Sequence, residues 1–369
     1  MNRLFRWDQM GLFLLALAAG ILPFAVPEVC AAALREGLTL CSGPLLLSLF
    51  PFLVVSRLLI QCPESDLLAL PFRLAAWGIG IRTPCAARVL CIGFLGGFAP
   101  AASAAAQAVR TGQLTAEEAD ALLPACICSG PSFVVLTVGQ SLLGSAELGV
   151  LLFASQITAN YLTAALLNRF AGVRSVKPES AAPASPAPPR LDEILADAAI
   201  TYCKLCGFIL FFRMLAAGAG ALLPAGAGTL CAVLLEVCSG CDLSSRTGRW
   251  GSLLCCAALS VQGLSVLLQV RTICPPEMTL RPLYRSRLLH LPLSLALFYL
   301  LLPGGEADAF STLPARVLLM RRVPPDCALL VFAVCCMAAC TLRSGIRQVE
   351  QKQMARNAGG CCINSKTLL

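Results

Sequence analysis

The segment FLVVSRLL (residues 52–59) returns as FILFFRML (residues 208–215), with Phe, Arg and Leu at the same offsets and conservative neighbours between them. Each copy is followed, in the same order, by a Gly/Ser-centred apolar stretch, a span interrupted at Gly-x-Ser, and a last apolar span. The interruptions are Gly130-Pro131-Ser132 in the first copy and Gly263-Leu264-Ser265 in the second. Two copies of one unit are therefore expected. Each unit holds an odd number of crossings, so the second copy must lie upside down relative to the first, the inverted-repeat plan of secondary transporters.

Composition agrees with a membrane setting. The chain has 369 residues, of which 57% are hydrophobic and only 13% charged, against about 25% charged in an ordinary soluble domain; its mean hydropathy is +0.78. A water-soluble globular protein is excluded, and the fold class expected is an all-α polytopic membrane protein. Apolar stretches long enough for the ~30 Å hydrocarbon core predict eight transmembrane helices at 10–33, 37–61, 120–143, 146–170, 198–217, 253–271, 283–302 and 325–343. The start of the chain resembles a signal peptide, with Arg3 and Arg6 before an apolar run, but that run is too long for a signal core and is taken as the first span. Two further stretches, 84–109 and 227–245, are rich in Gly, Ala, Ser and Pro at their centres and suit re-entrant hairpins. Residues 67–81, with Arg73, suit the interface. The Pro/Ala/Ser-rich segment 171–190 reads as a linker. The expected organisation is a peripheral span (1–36), a first repeat (37–170), the linker (171–190), a second, inverted repeat (191–302), and a final span with a basic tail (303–369).

The net charge of +8 is spread through short segments between apolar runs rather than gathered in one patch. That fits the positive-inside rule and not nucleic-acid binding, and it places both termini in the cytoplasm. Most of the 21 cysteines sit inside apolar runs, so they read as small, buried, reduced thiols rather than a disulfide framework. A single histidine, His290, stands at the head of an apolar span beside Arg285 and Arg287 and reads as interfacial; it excludes His-based triads and multi-histidine metal sites. Cys203-x-x-Cys206 lies on an apolar helix and Cys238-x-x-Cys241 on a hairpin tip, so no metal site is assigned to either. Thr115-Ala-Glu-Glu118 is a capping box opening the helix before the first interruption. No enzymatic activity and no cofactor is expected.

The candidate site lies at the interruptions. Pro131 removes a backbone donor in mid-span, so the helix should break around Ser129, Gly130 and Ser132, and the half-helix that follows would present free amides and a positive dipole end to an anion. In the second copy Gln262, Gly263, Ser265 and Gln269 offer an amide and a hydroxyl for the same purpose; kinked helices that merely pack are the bland alternative. The hairpin tips Gly96-Gly97-Phe98-Ala99-Pro100 and Glu236-Val237-Cys238-Ser239-Gly240 allow close backbone approach, while 101–106 serves equally well for helix packing. Arg57 and Arg213 occupy equivalent repeat positions, either facing a carboxylate or snorkelling to the interface. Glu236, acidic and deep in a membrane segment, would hold a coupling proton or cation or pair with Arg213. The partners expected are a small anionic solute and the lipid bilayer; a coupling ion, H⁺ or Na⁺, and a homo-oligomer are left open.

The runs GFLGGFAPAASAAAQAVRTGQLTAEEADALLPACICSGPSFVVLTVG (93–139), LLEVCSG (234–240) and QGLSVLLQV (262–270) resemble the sporulation integral membrane protein YlbJ family of the nucleoside-recognition Gate group. The similarity covers roughly residues 37–302 with all motifs in order. The resemblance implies a fold like that of concentrative nucleoside transporters, in which two re-entrant hairpins meet two unwound helices. It also implies movement of dipicolinic acid from the mother cell across the outer forespore membrane. Matching positions are Gly96, Gly97 and Pro100; Ser129, Gly130 and Ser132; Glu236 and Gly240; and Gly263, Ser265 and Gln269. The family pattern Tyr-Pro-x-Gly-Ala-Lys at the first tip is replaced here by Phe98 to Ser103, an Asn before Ser-Gly-Pro by Ile127-Cys128, and a His after Gly-Leu-Ser-Val by Leu267. Fewer polar groups line the implied site, which leaves room for another or less charged solute.

Overall fold

The computed structural model describes residues 2–61, 63–172 and 191–302. Residues 173–190 of the expected linker, the eighth predicted span and the basic tail lie outside the described residues. The described chain is all-helical, with 86% helix and no strand among the described residues. Three helical stretches are long and apolar enough to cross a membrane, Ala146–Ala171, Leu191–Leu222 and Gly248–Ile273, the last interrupted at Gln262, or four when one bent pair is counted as a span.

The N-terminal half begins with α1 (Asn2–Ala25), α2 (Pro27–Ser42) and α3 (Pro44–Gln61). The boundaries differ from the predicted crossings at 10–33 and 37–61 because prolines set them. Pro27 and Pro44 each open a helix, and the residue before proline is pushed out of the helical region. The chain bends by 110° between α1 and α2. A short helix α4 (Leu70–Gly78) carries Arg73, which pairs with Asp66 at 3.6 Å. A helical hairpin follows, α5 (Pro84–Gly96) and α6 (Phe98–Arg110), turning at Gly97. Next comes α7 (Ala116–Cys126), opened by the expected capping box: Thr115 accepts from the Glu118 amide and Glu118 accepts from the Thr115 amide. The chain is then non-helical until Ser132, where a π-helical segment runs to Leu142 before α8 (Ala146–Ala171).

The C-terminal half runs through the same succession. It comprises α9 (Leu191–Leu222), the hairpin α10 (Ala225–Leu235) and α11 (Val237–Ser245), the half-helices α12 (Gly251–Val261) and α13 (Gly263–Ile273), and α14 (Arg281–Leu301). The stretches expected to cross singly at 120–143 and 253–271 are thus each two helices with a break between.

Three contacts show that α2 and α3 run antiparallel to α9. Arg57 pairs with Asp197, Arg213 with Glu36 at 2.7 Å, and the Tyr202 hydroxyl donates to the Cys41 carbonyl. Ala101, Ala102, Ala104, Ala105 and Ala106 are almost fully buried, so α6 is enclosed on nearly all sides and its small residues let neighbouring helices approach closely. The two halves are also tied at one end by Asp120, whose carboxylate accepts from the Thr279 amide (2.8 Å), the Thr279 hydroxyl (2.7 Å) and the Leu280 amide (3.1 Å) just before α14.

Candidate functional site

Each hairpin tip is set directly against one helix break. At the first, Gly97 has φ +80° and ψ −163°, a backbone state open essentially to glycine alone. A Cβ built there would lie 2.7 Å from the Gly130 amide nitrogen and 3.2 Å from the Cys128 carbonyl oxygen. At the second, Gly263 has φ +68°, and a Cβ would lie 2.9 Å from the Glu236 nitrogen and 3.0 Å from the Leu235 carbonyl. Only bare backbone fits at either junction, so the glycines are there for close approach.

The second break is held by an unusual residue. Gln262 is a non-glycine at φ 66°, a conformation that L side chains enter only with strain. Its side-chain amide donates to the Leu259 carbonyl at 2.6 Å and to Ser129 Oγ at 3.4 Å. Ser129 belongs to the first break, so this contact joins the two interruptions.

A small cavity of ≈ 50 Å³ lies between them. Gly96 and Phe98 line it from the first tip, Ser129, Gly130 and Ser132 from the first break, Glu236 and Cys238 from the second tip, and Val266 and Gln269 from α13. Three helix starts therefore face one space, those of α6, the π-helical segment and α11, and α13 lines it from its middle. Helix starts carry partial positive charge and free amides, so their convergence favours a negatively charged guest. One of them is already occupied, because both Glu236 carboxylate oxygens accept backbone amides of α11, from Cys238 at 2.8 Å and Ser239 at 2.7 Å. Gln269 donates to Ser265 Oγ at 2.9 Å, while its Oε1 is buried with no donor among the described residues.

Several sequence-predicted residues stand elsewhere. Arg57 and Arg213 do not line this cavity; each is held by an acid on a neighbouring helix, Asp197 and Glu36. Both acids are more than half exposed, at 59% and 65%, while the two arginine side chains are only 12% exposed. Glu236 caps α11, and the ion pair of Arg213 is with Glu36. Gly240 lies inside its own hairpin, where a Cβ would come 2.9 Å from the Val233 Cα, and Pro100 packs against Gly96. Ser265 is buried behind Gln269 and does not line the cavity.

A second, more polar cavity of ≈ 170 Å³ lies toward the other ends of α6 and α13. Arg57, Arg110 and Lys204 line it with a single acid, Asp197. The α6–α13 pair thus has the small cavity at its inner end and this basic one at its outer end.

Sequence reasoning missed a third group. His290 is not interfacial: it is 0% exposed, and its Nε2 lies 3.2 Å from the Gln156 carbonyl oxygen. Arg287 is 8% exposed and donates to the carbonyls of Ile127 and Ser260 at 3.4 Å each, and to Asn160 Oδ1 at 3.2 Å. Gln156 in turn donates to Ser260 Oγ at 3.0 Å and to the Cys256 carbonyl at 3.2 Å. The signal was in the spacing. Gln156, Asn160 and Asn168 share one buried face of α8, and Arg287, His290 and Ser294 share one of α14, both at the helical period. Among the described residues no group of three His, Cys, Asp or Glu side chains stands together as a metal site. Comparison of the chain with protein-family models, curated proteins and solved structures finds no match.

Proposed function

We propose that the chain is a multi-pass integral membrane carrier for a small anionic solute, with both termini cytoplasmic, built as an inverted repeat of eight crossings and two re-entrant hairpins. The observation that carries this reading is that both hairpin tips, the first helix break and α13 line one cavity, while the second break is seated against the second tip beside it. The antiparallel pairing of α2 and α3 with α9 supports the inverted relation of the halves. The basic cavity at the outer end of α6 and α13 would gather anions at one mouth.

At about 10–15 Å³ per water, the inner cavity of ≈ 50 Å³ has room for a few waters and not for a ring. The solute would therefore enter only when a tip parts from its break, and parting one tip at a time is alternating access around a fixed site. The resemblance to the YlbJ family makes dipicolinic acid, moved from the mother cell across the outer forespore membrane, the first solute to try. Its two carboxylates suit the helix starts. A second reading, a nucleoside-like solute, is favoured by the buried Gln269 Oε1, which needs an N–H or O–H donor.

The test is dipicolinate efflux from liposomes containing the parent or a Ser132→Leu/Gln269→Leu double variant. The parent is expected to release the solute, and the double variant is expected to slow release at least tenfold while unfolding at a similar temperature. Equal rates would remove the cavity from the mechanism. No release of dipicolinate or uridine by a folded parent would favour a non-transporting membrane scaffold in spore assembly.

A further inference from the structure

Both half-helices that end at the breaks, α7 and α12, point their C-terminal carbonyls toward the interior, and Arg287 reaches one carbonyl of each, Ile127 O and Ser260 O. Its remaining acceptors are Asn160 Oδ1 and Ser286 Oγ, both neutral, and no carboxylate is among its partners in the described residues. A buried cation without a carboxylate is costly unless other negative potential meets it. Here that potential is supplied by two helix ends at about −0.5 charge each, together close to one full negative charge.

We propose that Arg287 is a tethered internal cation that neutralises the paired C-termini of the broken helices, in the place where a dissolved monovalent cation would otherwise be coordinated. Carbonyls freed at helix breaks are the ligands that carriers offer to Na⁺, and here a side chain of α14 already fills that position. Four neutral oxygens from four parts of the chain face the guanidinium, so α14, α8 and both breaks are clamped by one group. The consequence for coupling, that this centre needs no Na⁺, rests on the carrier reading; the clamp itself does not.

The experiment is thermal unfolding of the purified full chain in lipid nanodiscs, in NaCl and in choline chloride of equal ionic strength, so that transport is not the readout. The parent is expected to melt at the same temperature in both salts. Arg287→Ala is expected to melt about 5–10 °C lower and to recover at least half of that loss with millimolar methylguanidinium. Arg287→Met, which fills the space with an uncharged stem, is expected to stay low with or without it. Arg287→Lys, which keeps a cation, is expected within a few degrees of the parent, and it serves where Arg287→Ala does not fold. A parent stabilised by Na⁺ over choline, an Arg287→Met variant as stable as the parent, or an Arg287→Lys variant that falls as far as Arg287→Met would each overturn the proposal. If liposomes carry no solute and these shifts still appear, the carrier reading fails and the clamp stands.

Discussion

Gly97→Ala is expected to destabilise the protein by more than about 3 kcal/mol and to abolish solute movement. Two independent penalties coincide at this position. The backbone state at φ +80° and ψ −163° costs an alanine about 1–3 kcal/mol. The new methyl group would sit 2.7 Å from the Gly130 nitrogen, an overlap with backbone that cannot rotate away, and overpacking of this kind adds about 1–3 kcal/mol more. Gly144→Ala is the control. Gly144 has nearly the same φ, +77°, yet nothing lies within 4 Å of its Cβ position, so only the conformational penalty of about 1–2 kcal/mol applies. Chemical or thermal unfolding of both variants separates the terms. If Gly97→Ala were no worse than Gly144→Ala, the tip would not be seated on the break.

Glu236→Ala should be nearly as damaging, lowering stability by about 2–3 kcal/mol, because it strips two charge-assisted hydrogen bonds from buried amides at the start of α11. Glu236→Gln keeps an acceptor and should retain more than half of that stability together with solute efflux. The comparison also decides the role of this side chain. A cap tolerates glutamine in proportion to the acceptors it keeps, whereas a group that carries a coupling proton does not tolerate it at all. Efflux that disappears in a Glu236→Gln variant of parental stability would show that the carboxylate does more than cap.

How much of this was legible in the sequence depends on which physical signal wrote each part. The breaks and tips were readable because glycine and proline act locally: Pro131 ends a hydrogen-bond ladder wherever it stands, and Gly96-Gly97 marks a turn without reference to the rest of the chain. The hairpins accordingly fall at Pro84–Arg110 and Ala225–Ser245, within a few residues of the expected 84–109 and 227–245. Hydropathy does not locate the boundaries of α1, α2 and α3, because the apolar runs continue across Pro27 and Pro44, both of which begin helices.

The roles of charged residues were the least legible. Arg57 and Arg213 drew attention as arginines inside apolar runs, but their acids come from helices far along the chain, Asp197 and Glu36, and no local pattern reveals such a pairing. Arg287 was hidden for the opposite reason. It sits near Arg281 and Arg285 at the head of a span, where a basic cluster reads as an orientation signal, and only tertiary packing turns one of the three inward. The π-helical course of Ser132–Leu142 has a partial explanation in the glycine pair Gly139 and Gly149, where a Cβ on Gly139 would come 2.5 Å from the Gly149 Cα. Such contact brings α8 unusually near, yet nothing in the local sequence announces a widened helix.

If one solute site is built jointly by both halves, equilibrium binding of dipicolinate to the purified parent, Ser132→Phe and Val266→Phe reveals it. Ser132 lines the cavity from the first half and Val266 from the second. The parent is expected to bind one solute per chain, and either substitution alone is expected to abolish binding while the protein stays folded. Two sites per parent chain, or binding that survives both substitutions in folded protein, would contradict it.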